Sequence, residues 1–183
     1  QEKAPLIKPV AKISLPIPEP SGISLNGKGT GFYVVSDNGI LFEIDSMGNI
    51  LQRSETTGMD YEAVFADTLS VYVVDESLRR VKIHSRDSLV MTSEISIPYS
   101  GARNQGWESL AYVPELDKFV LFTEKNPVIV FELDSNLQLQ RQQELDHLPE
   151  ISDCVYYEDH IYALSDEGHE ILKLDPESFA IIQ

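Results

Sequence analysis

The chain has 183 residues, of which 30 are acidic and 14 are basic, so its formal net charge at pH 7 is −16. Phosphate backbones repel a surface of this charge, which excludes nucleic acid as an expected partner. The single cysteine excludes an internal disulfide. No apolar segment reaches the roughly 18 residues that indicate a membrane-spanning helix. The length fits one domain with a sizeable core, covering residues 1–183.

After an N-terminal segment, residues 1–18, four similar units follow one another along the chain. The units cover residues 19–56, 60–98, 106–146 and 151–183. Each unit contains short runs rich in Val, Ile, Leu, Tyr and Phe with turn residues between them, which predicts four strands per unit. Lys12–Pro18 precedes the first unit just as the fourth strand of each unit precedes the next unit, so we expect it to form an outer closing strand.

This repeat predicts an all-β fold, namely a β-propeller of four-stranded antiparallel blades. A single blade cannot bury both of its faces, so each blade needs neighbours. Four repeats are visible. The N-terminal strand and the last strand of the fourth unit would both be the outer strand of the last blade, which favours an incomplete five- or six-bladed ring. The alternative is a β-sandwich with irregular strands.

Acidic residues recur at two places in every unit. One set begins the predicted first strands: Glu19, Glu62, Glu108 and Asp153. A second set ends the predicted second strands: Asp37, Asp75, Glu76, Glu124, Asp166 and Glu167. Because the first two strands of a blade run antiparallel, both sets are expected around one mouth of the central channel. The first set is predicted to ligate a divalent cation and the second to contact a bound ligand.

Clustered carboxylates repel one another unless some are protonated or a cation lies among them. Oxygen ligands without clustered His or Cys suit Ca²⁺, with Mg²⁺ as the less favoured ion. Three basic residues in the same loops, Arg80, Arg103 and Lys125, pair with the acids in the alternative interpretation, and otherwise help to bind an anionic ligand. Trp107 packs between blades or stacks on a ligand at the mouth.

The motifs of all four units resemble the SdiA-regulated protein family. The closest match is Asn104-Gln-Gly-Trp-Glu-Ser-Leu-Ala-Tyr112, followed by Thr123-Glu-Lys-Asn-Pro127. Glu19-Pro-Ser-Gly-Ile and Tyr61-Glu-Ala-Val also fit. The resemblance implies a bacterial β-propeller that is periplasmic or outer-membrane-associated, and it extends to calcium-dependent phytase-like and lactonase-like propellers. Their complete active sites have no match in this sequence.

Three functions remain open at this point. The first is an extracytoplasmic propeller that binds a small molecule or protein at its acidic mouth, with a divalent cation. The second is a calcium-dependent hydrolase of phosphate esters or lactones, and the third is a structural interaction module. A shared fold does not choose among them.

Overall fold

In a computed structural model of the chain, the described residues are 6–27, 29–55, 58–99 and 106–183. They form four antiparallel sheets whose strands pair in chain order. The first two sheets contain β1 (Pro20–Leu25), β2 (Gly31–Ser36), β3 (Ile40–Asp45) and β4 (Ile50–Arg53), then β5 (Tyr61–Ala66), β6 (Ser70–Asp75), β7 (Arg80–Ser85) and β8 (Met91–Ser96). The last two contain β9 (Trp107–Val113), β10 (Lys118–Thr123), β11 (Ile129–Asp134) and β12 (Leu139–Glu144), then β13 (Asp153–Tyr157), β14 (His160–Ser165) and β15 (Glu170–Leu174).

The sheets are arranged as the blades of a propeller. The first strand of each sheet is the inner one, because β1 contacts β5, β5 contacts β9 and β9 contacts β13. One short 3-10 helix, Pro114–Leu116, connects β9 to β10. The prediction of an all-β propeller with four antiparallel blades is therefore confirmed. A fifth or sixth blade stays a prediction.

Alternating apolar residues of each strand fill the spaces between blades. The interface of the first two blades contains Tyr33, Leu41, Tyr61 and Val73. The next two interfaces are built in the same way, around Trp107, Leu121 and Phe131 and then around Phe122, Ile161 and Phe179. Burial of these side chains is the main stabilising contribution and fixes the angle between neighbouring blades.

The N-terminal segment does not form the predicted outer strand. Residues 6–19 contain no strand, and Leu15 and Ile17 instead pack on the apolar face of the first blade that contains Phe42. Pro16 and Pro18 lack the backbone N–H that a strand ladder requires, which explains why the segment packs without pairing.

The fourth blade has a reduced outer strand. The sequence predicts a strand over residues 179–183, whereas the structure has an isolated bridge between Leu174 and Ile181. The N–H of Ile182 donates to the carbonyl of Lys173 at 2.8 Å, so this stretch begins the pairing of a fourth strand. None of the described residues belongs to a helix with the length and apolarity needed to cross a membrane.

The interface of the second and third blades provides a test of the packing. Leu121 is fully buried there, whereas Leu69 is 79% exposed. We expect Leu121→Ala to lower the free energy of unfolding by about 2–5 kcal/mol, because it removes buried methyl groups and leaves a cavity. The matched control Leu69→Ala is expected to change it by less than about 0.5 kcal/mol. Urea unfolding measures both values, and equal effects would contradict this packing.

Candidate functional site

A β-bulge at the start of the inner strand places one acidic side chain of a blade at the channel mouth. In the second blade Tyr61 pairs with Asp75 and Ala63 pairs with Val74, so Glu62 is the extra residue. The third blade repeats this arrangement, with Glu108 as the extra residue. A bulge turns a side chain out of the strand alternation, which is why it often re-aims a residue at a binding site.

The strand register shows that the four acidic residues predicted to begin the first strands do not occupy equivalent positions. In the first blade the bulged residue is Ser21, whereas Glu19 precedes the strand. In the fourth blade Asp153 pairs with Leu164, just as Ala63 pairs with Val74 in the second blade. Asp153 therefore lies one position after the place where the other three blades have their bulge. Of the four predicted cation ligands, Glu62 and Glu108 occupy equivalent places.

Three carboxyl groups of the second blade converge at the mouth. One carboxylate oxygen each of Asp60, Glu62 and Glu76 lies within 4.8 Å of the others. Asp60 directly precedes β5 and Glu76 directly follows β6, so the antiparallel pair brings them together. This triad is chemically able to hold a divalent cation.

Burial and mutual repulsion raise the pKa values of Glu62, Glu76 and Glu108. The pKa of Glu62 is raised to about 9 by burial and then by the charges of Glu108 and Asp37. Burial, followed by Glu76 and Glu124, raises the pKa of Glu108 to about 8. The pKa of Glu76 is also raised, by burial and then by Asp60. The electrostatic site thus extends from the triad to Glu108, Asp37 and Glu124.

Neighbouring groups fix the orientation of the triad. The backbone N–H of Gly106 donates to Oε1 of Glu76 at 2.8 Å, and the hydroxyl of Ser77 donates to Oδ2 of Asp60, also at 2.8 Å. A Cβ at position 106 would lie 1.8 Å from Cγ of Glu76, so glycine is required for this contact. Across the described ranges, no ion pair includes a residue of the triad or Glu108.

Two predicted ligand-binding residues are buried between blades. Asp75 is fully buried and accepts a hydrogen bond from Nζ of Lys82 at 2.7 Å, so its charge is already paired. Trp107 is also fully buried and stacks edge-on against Phe131, with ring centroids 5.4 Å apart. The structure therefore places Asp75 in a buried ion pair and Trp107 in the packing between blades, and a ligand-binding role of either stays a prediction.

Among the other predicted residues that the structure describes, the two basic side chains form ion pairs. Lys125 contacts Glu124 at 2.9 Å and Glu167 at 2.5 Å, and it joins the third and fourth blades. Arg80 pairs with Glu94 of the outer strand β8. The remaining predicted residues are placed as follows: Glu19 accepts from Asn38 at 3.1 Å, Asp166 is exposed, and Arg103 lies outside the described residues.

Two acidic residues at the mouth were not predicted. Asp60 belongs to the triad, and Glu150 is buried, with Oε2 accepting from the hydroxyl of Ser165 at 2.7 Å. Both precede an inner strand, at the place that Glu19 occupies in the first blade. The sequence signal that could have found them is an acidic residue two positions before the residue that bulges.

Asp153 is an isolated carboxyl group. Burial raises its pKa to about 7, and no neighbouring charge contributes to that increase. Its Oδ1 accepts a hydrogen bond from the backbone N–H of Cys154 at 2.7 Å. This hydrogen bond is local to the strand. Asp153 is not among the acidic residues whose charges raise the pKa values of Glu62 and Glu108.

An antiparallel propeller with a carboxylate-lined channel mouth is thus the class of protein that the fold and the site define. Comparison with family models identifies the chain within this class, since the SdiA-regulated family matches residues 6–181. The chain belongs to the SdiA-regulated family. A search of the curated proteins finds no match.

The raised pKa values predict how stability depends on pH. Because Glu62 and Glu108 have folded-state pKa values of about 9 and 8, above the ordinary 4.5, the folded chain binds more protons than the unfolded chain between these values. With chelator present, the contribution of these two groups to the free energy of unfolding is therefore greatest at and below about pH 4.5 and falls as the pH rises to about 9.

Glu62→Gln and Glu108→Gln are each expected to reduce this fall by at least about 1 kcal/mol, since one pKa unit corresponds to about 1.4 kcal/mol. Urea unfolding at pH 5, 7 and 9 in the presence of chelator measures the dependence. The exposed control Glu177→Gln should follow the wild type. Identical slopes for all four proteins would contradict the buried, repelling arrangement.

Proposed function

We propose that this propeller is a binding protein that holds a divalent cation at its acidic mouth and uses the cation to bind an oxygen-rich ligand. The observation that carries the proposal is the convergence of Asp60, Glu62 and Glu76, whose carboxylate oxygens lie within 4.8 Å of one another. A cation would offset the repulsion that, together with burial, raises the pKa values of Glu62 and Glu76.

The donor set fits Ca²⁺ better than Mg²⁺. Calcium takes six to eight oxygen ligands in an irregular geometry, and carboxylates bind it through one or two oxygens, whereas Mg²⁺ demands a near-ideal octahedron. The three carboxylates of the triad supply between three and six oxygens. Gly106 and Ser77 hold Glu76 and Asp60 in place, as outer-shell hydrogen bonds do at metal sites.

The remaining coordination positions of the cation are the proposed place for the ligand. A carboxylate or phosphate oxygen of a small molecule or a protein suits such a position. Glu108, Asp37 and Glu124 surround the triad electrostatically, so they exclude an anion from the mouth until a cation is present.

A site of this kind suits an extracytoplasmic location. Calcium sites of extracellular modules have dissociation constants of roughly 10⁻⁴–10⁻³ M, and they are filled only where the ion is abundant. A mouth with three carboxylates from a single blade fits that range. The periplasmic or outer-membrane-associated setting is accordingly part of the proposal.

Calcium is expected to raise the melting temperature. Binding to the folded state alone stabilises it by about 2.7 kcal/mol at a free ion concentration of about 100 times the dissociation constant. For a chain of this length that corresponds to a rise of about 5–11 °C. Thermal melts with Ca²⁺, with Mg²⁺ and with chelator, together with calorimetric titration, measure the effect.

Glu76→Gln should abolish most of the rise, because it removes one ligand of the triad. Glu177→Gln, an exposed substitution of the same type, should keep the full rise. A melting temperature that Ca²⁺ leaves unchanged would refute the cation site. Chelator-sensitive turnover of phosphate esters or lactones would instead support the hydrolase, which is the alternative function.

A further inference from the structure

An apolar cleft of about 570 Å³ lies beside the inner strand of the fourth blade. Its walls include Ile23 and Leu25 of β1, Phe65 of β5, and Val155, Leu164 and Ile171 of the fourth blade. Several of these side chains are strongly exposed, among them Val155 at 56% and Ile171 at 50%. Among the described lining residues, Asp153 is the one that carries a charge.

Asp153 occupies a position that is small in the other three blades. By strand register its equivalents are Gly22, Ala63 and Ser109. At Gly22 a Cβ would lie 2.5 Å from the carbonyl oxygen of Glu62, so the next inner strand leaves no room for a side chain. In the fourth blade the residue at the same position, Asp153, lines the cleft.

The carboxyl group of Asp153 is incompletely satisfied by the protein. Oδ1 accepts the hydrogen bond from Cys154, whereas Oδ2 has no hydrogen-bond partner in the part of the chain that the structure describes. Loss of hydration by a carboxylate is costly unless hydrogen bonds or an opposite charge replace the water. The apolar walls of the cleft supply neither, so the arrangement lacks a positively charged partner.

We propose that the cleft binds a small amphiphile that has an apolar body and an ammonium end, with the ammonium group paired to Asp153. The charge decides the class of ligand, because a lone carboxylate and a chain of net charge −16 repel anionic amphiphiles. The volume lies within the range of roughly 300–1,000 Å³ that is typical of small-molecule sites. The site uses none of the triad residues, so it goes beyond the proposed function and does not depend on it.

Displacement of the neutral fluorescent probe N-phenyl-1-naphthylamine tests the proposal. The competing ligands are n-decylammonium, n-decanol and decanoate, at pH 8 and below their micellar concentrations. Decylammonium is expected to bind at least about tenfold more tightly than the other two, which corresponds to about 1.4 kcal/mol. From hexylammonium to decylammonium, affinity should rise about three- to fourfold for each methylene that is buried.

Asp153→Asn should weaken decylammonium about tenfold and leave decanol within twofold, because it removes the charge and keeps the shape. The control Asp159→Asn changes an exposed carboxyl group of the same blade and should bind all three ligands like the wild type. Ile171→Ser, at the exposed wall, should weaken all three and remains informative if Asp153→Asn fails to fold.

Three results would overturn the proposal. The first is equal affinity of decylammonium and decanoate, and the second is unchanged ammonium binding by Asp153→Asn. The third is a dimer in sedimentation velocity that excludes the probe, since a second copy of the chain would then cover the cleft. None of these results bears on the calcium-dependent rise in melting temperature, so the two proposals fail separately.

Discussion

Neighbouring inner strands approach so closely that the position after the bulge is small in the first three blades, where it holds Gly22, Ala63 and Ser109. A Cβ added at Gly22 would lie 2.5 Å from the carbonyl oxygen of Glu62, and the equivalent residue of the second blade is Ala63. A carboxyl group cannot fit between blades at this place. The bulge resolves the conflict, because it turns the preceding residue out of the alternation and toward the mouth. The same constraint thus holds the blades together and gathers Glu62 and Glu108 in one place.

The charged groups divide into those that the protein itself neutralises and those that it does not. Asp75 and Lys82 form a buried pair at 2.7 Å, and removal of either partner would leave an uncompensated charge in the interior. Glu62 and Glu108 have no such partner among the described residues, and their raised pKa values reflect it. In the proposed site, protons and a divalent cation would therefore compete for the same oxygens. Cation affinity must fall as the pH falls, because the ligating carboxylates have to be deprotonated.

The blades were predictable from the sequence because their period and their apolar runs are local features of the chain. The mouth was predictable in part, since Glu62 and Glu108 do begin equivalent strands. Glu19 and Asp153 follow the same period in residue number but sit at other positions in the register. An offset of one or two residues is invisible in a repeat of this length. In a strand the one-residue offset of Asp153 moves its side chain to the opposite face, and the two-residue offset of Glu19 places it before the strand. Asp60 was missed because its place in the triad depends on its approach to Glu76, which the sequence does not show.

This offset also accounts for the different cations in the two proposals. At the mouth several oxygens converge, and a small hard ion such as Ca²⁺ gains from each of them. Beside the cleft a single carboxylate, Asp153, stands among apolar walls and cannot supply the oxygens that a divalent ion requires. An ammonium group needs one carboxylate only, and the hydrocarbon attached to it gains from the walls that a metal ion cannot use. The position of a carboxyl group relative to the bulge therefore determines which kind of cation it can serve.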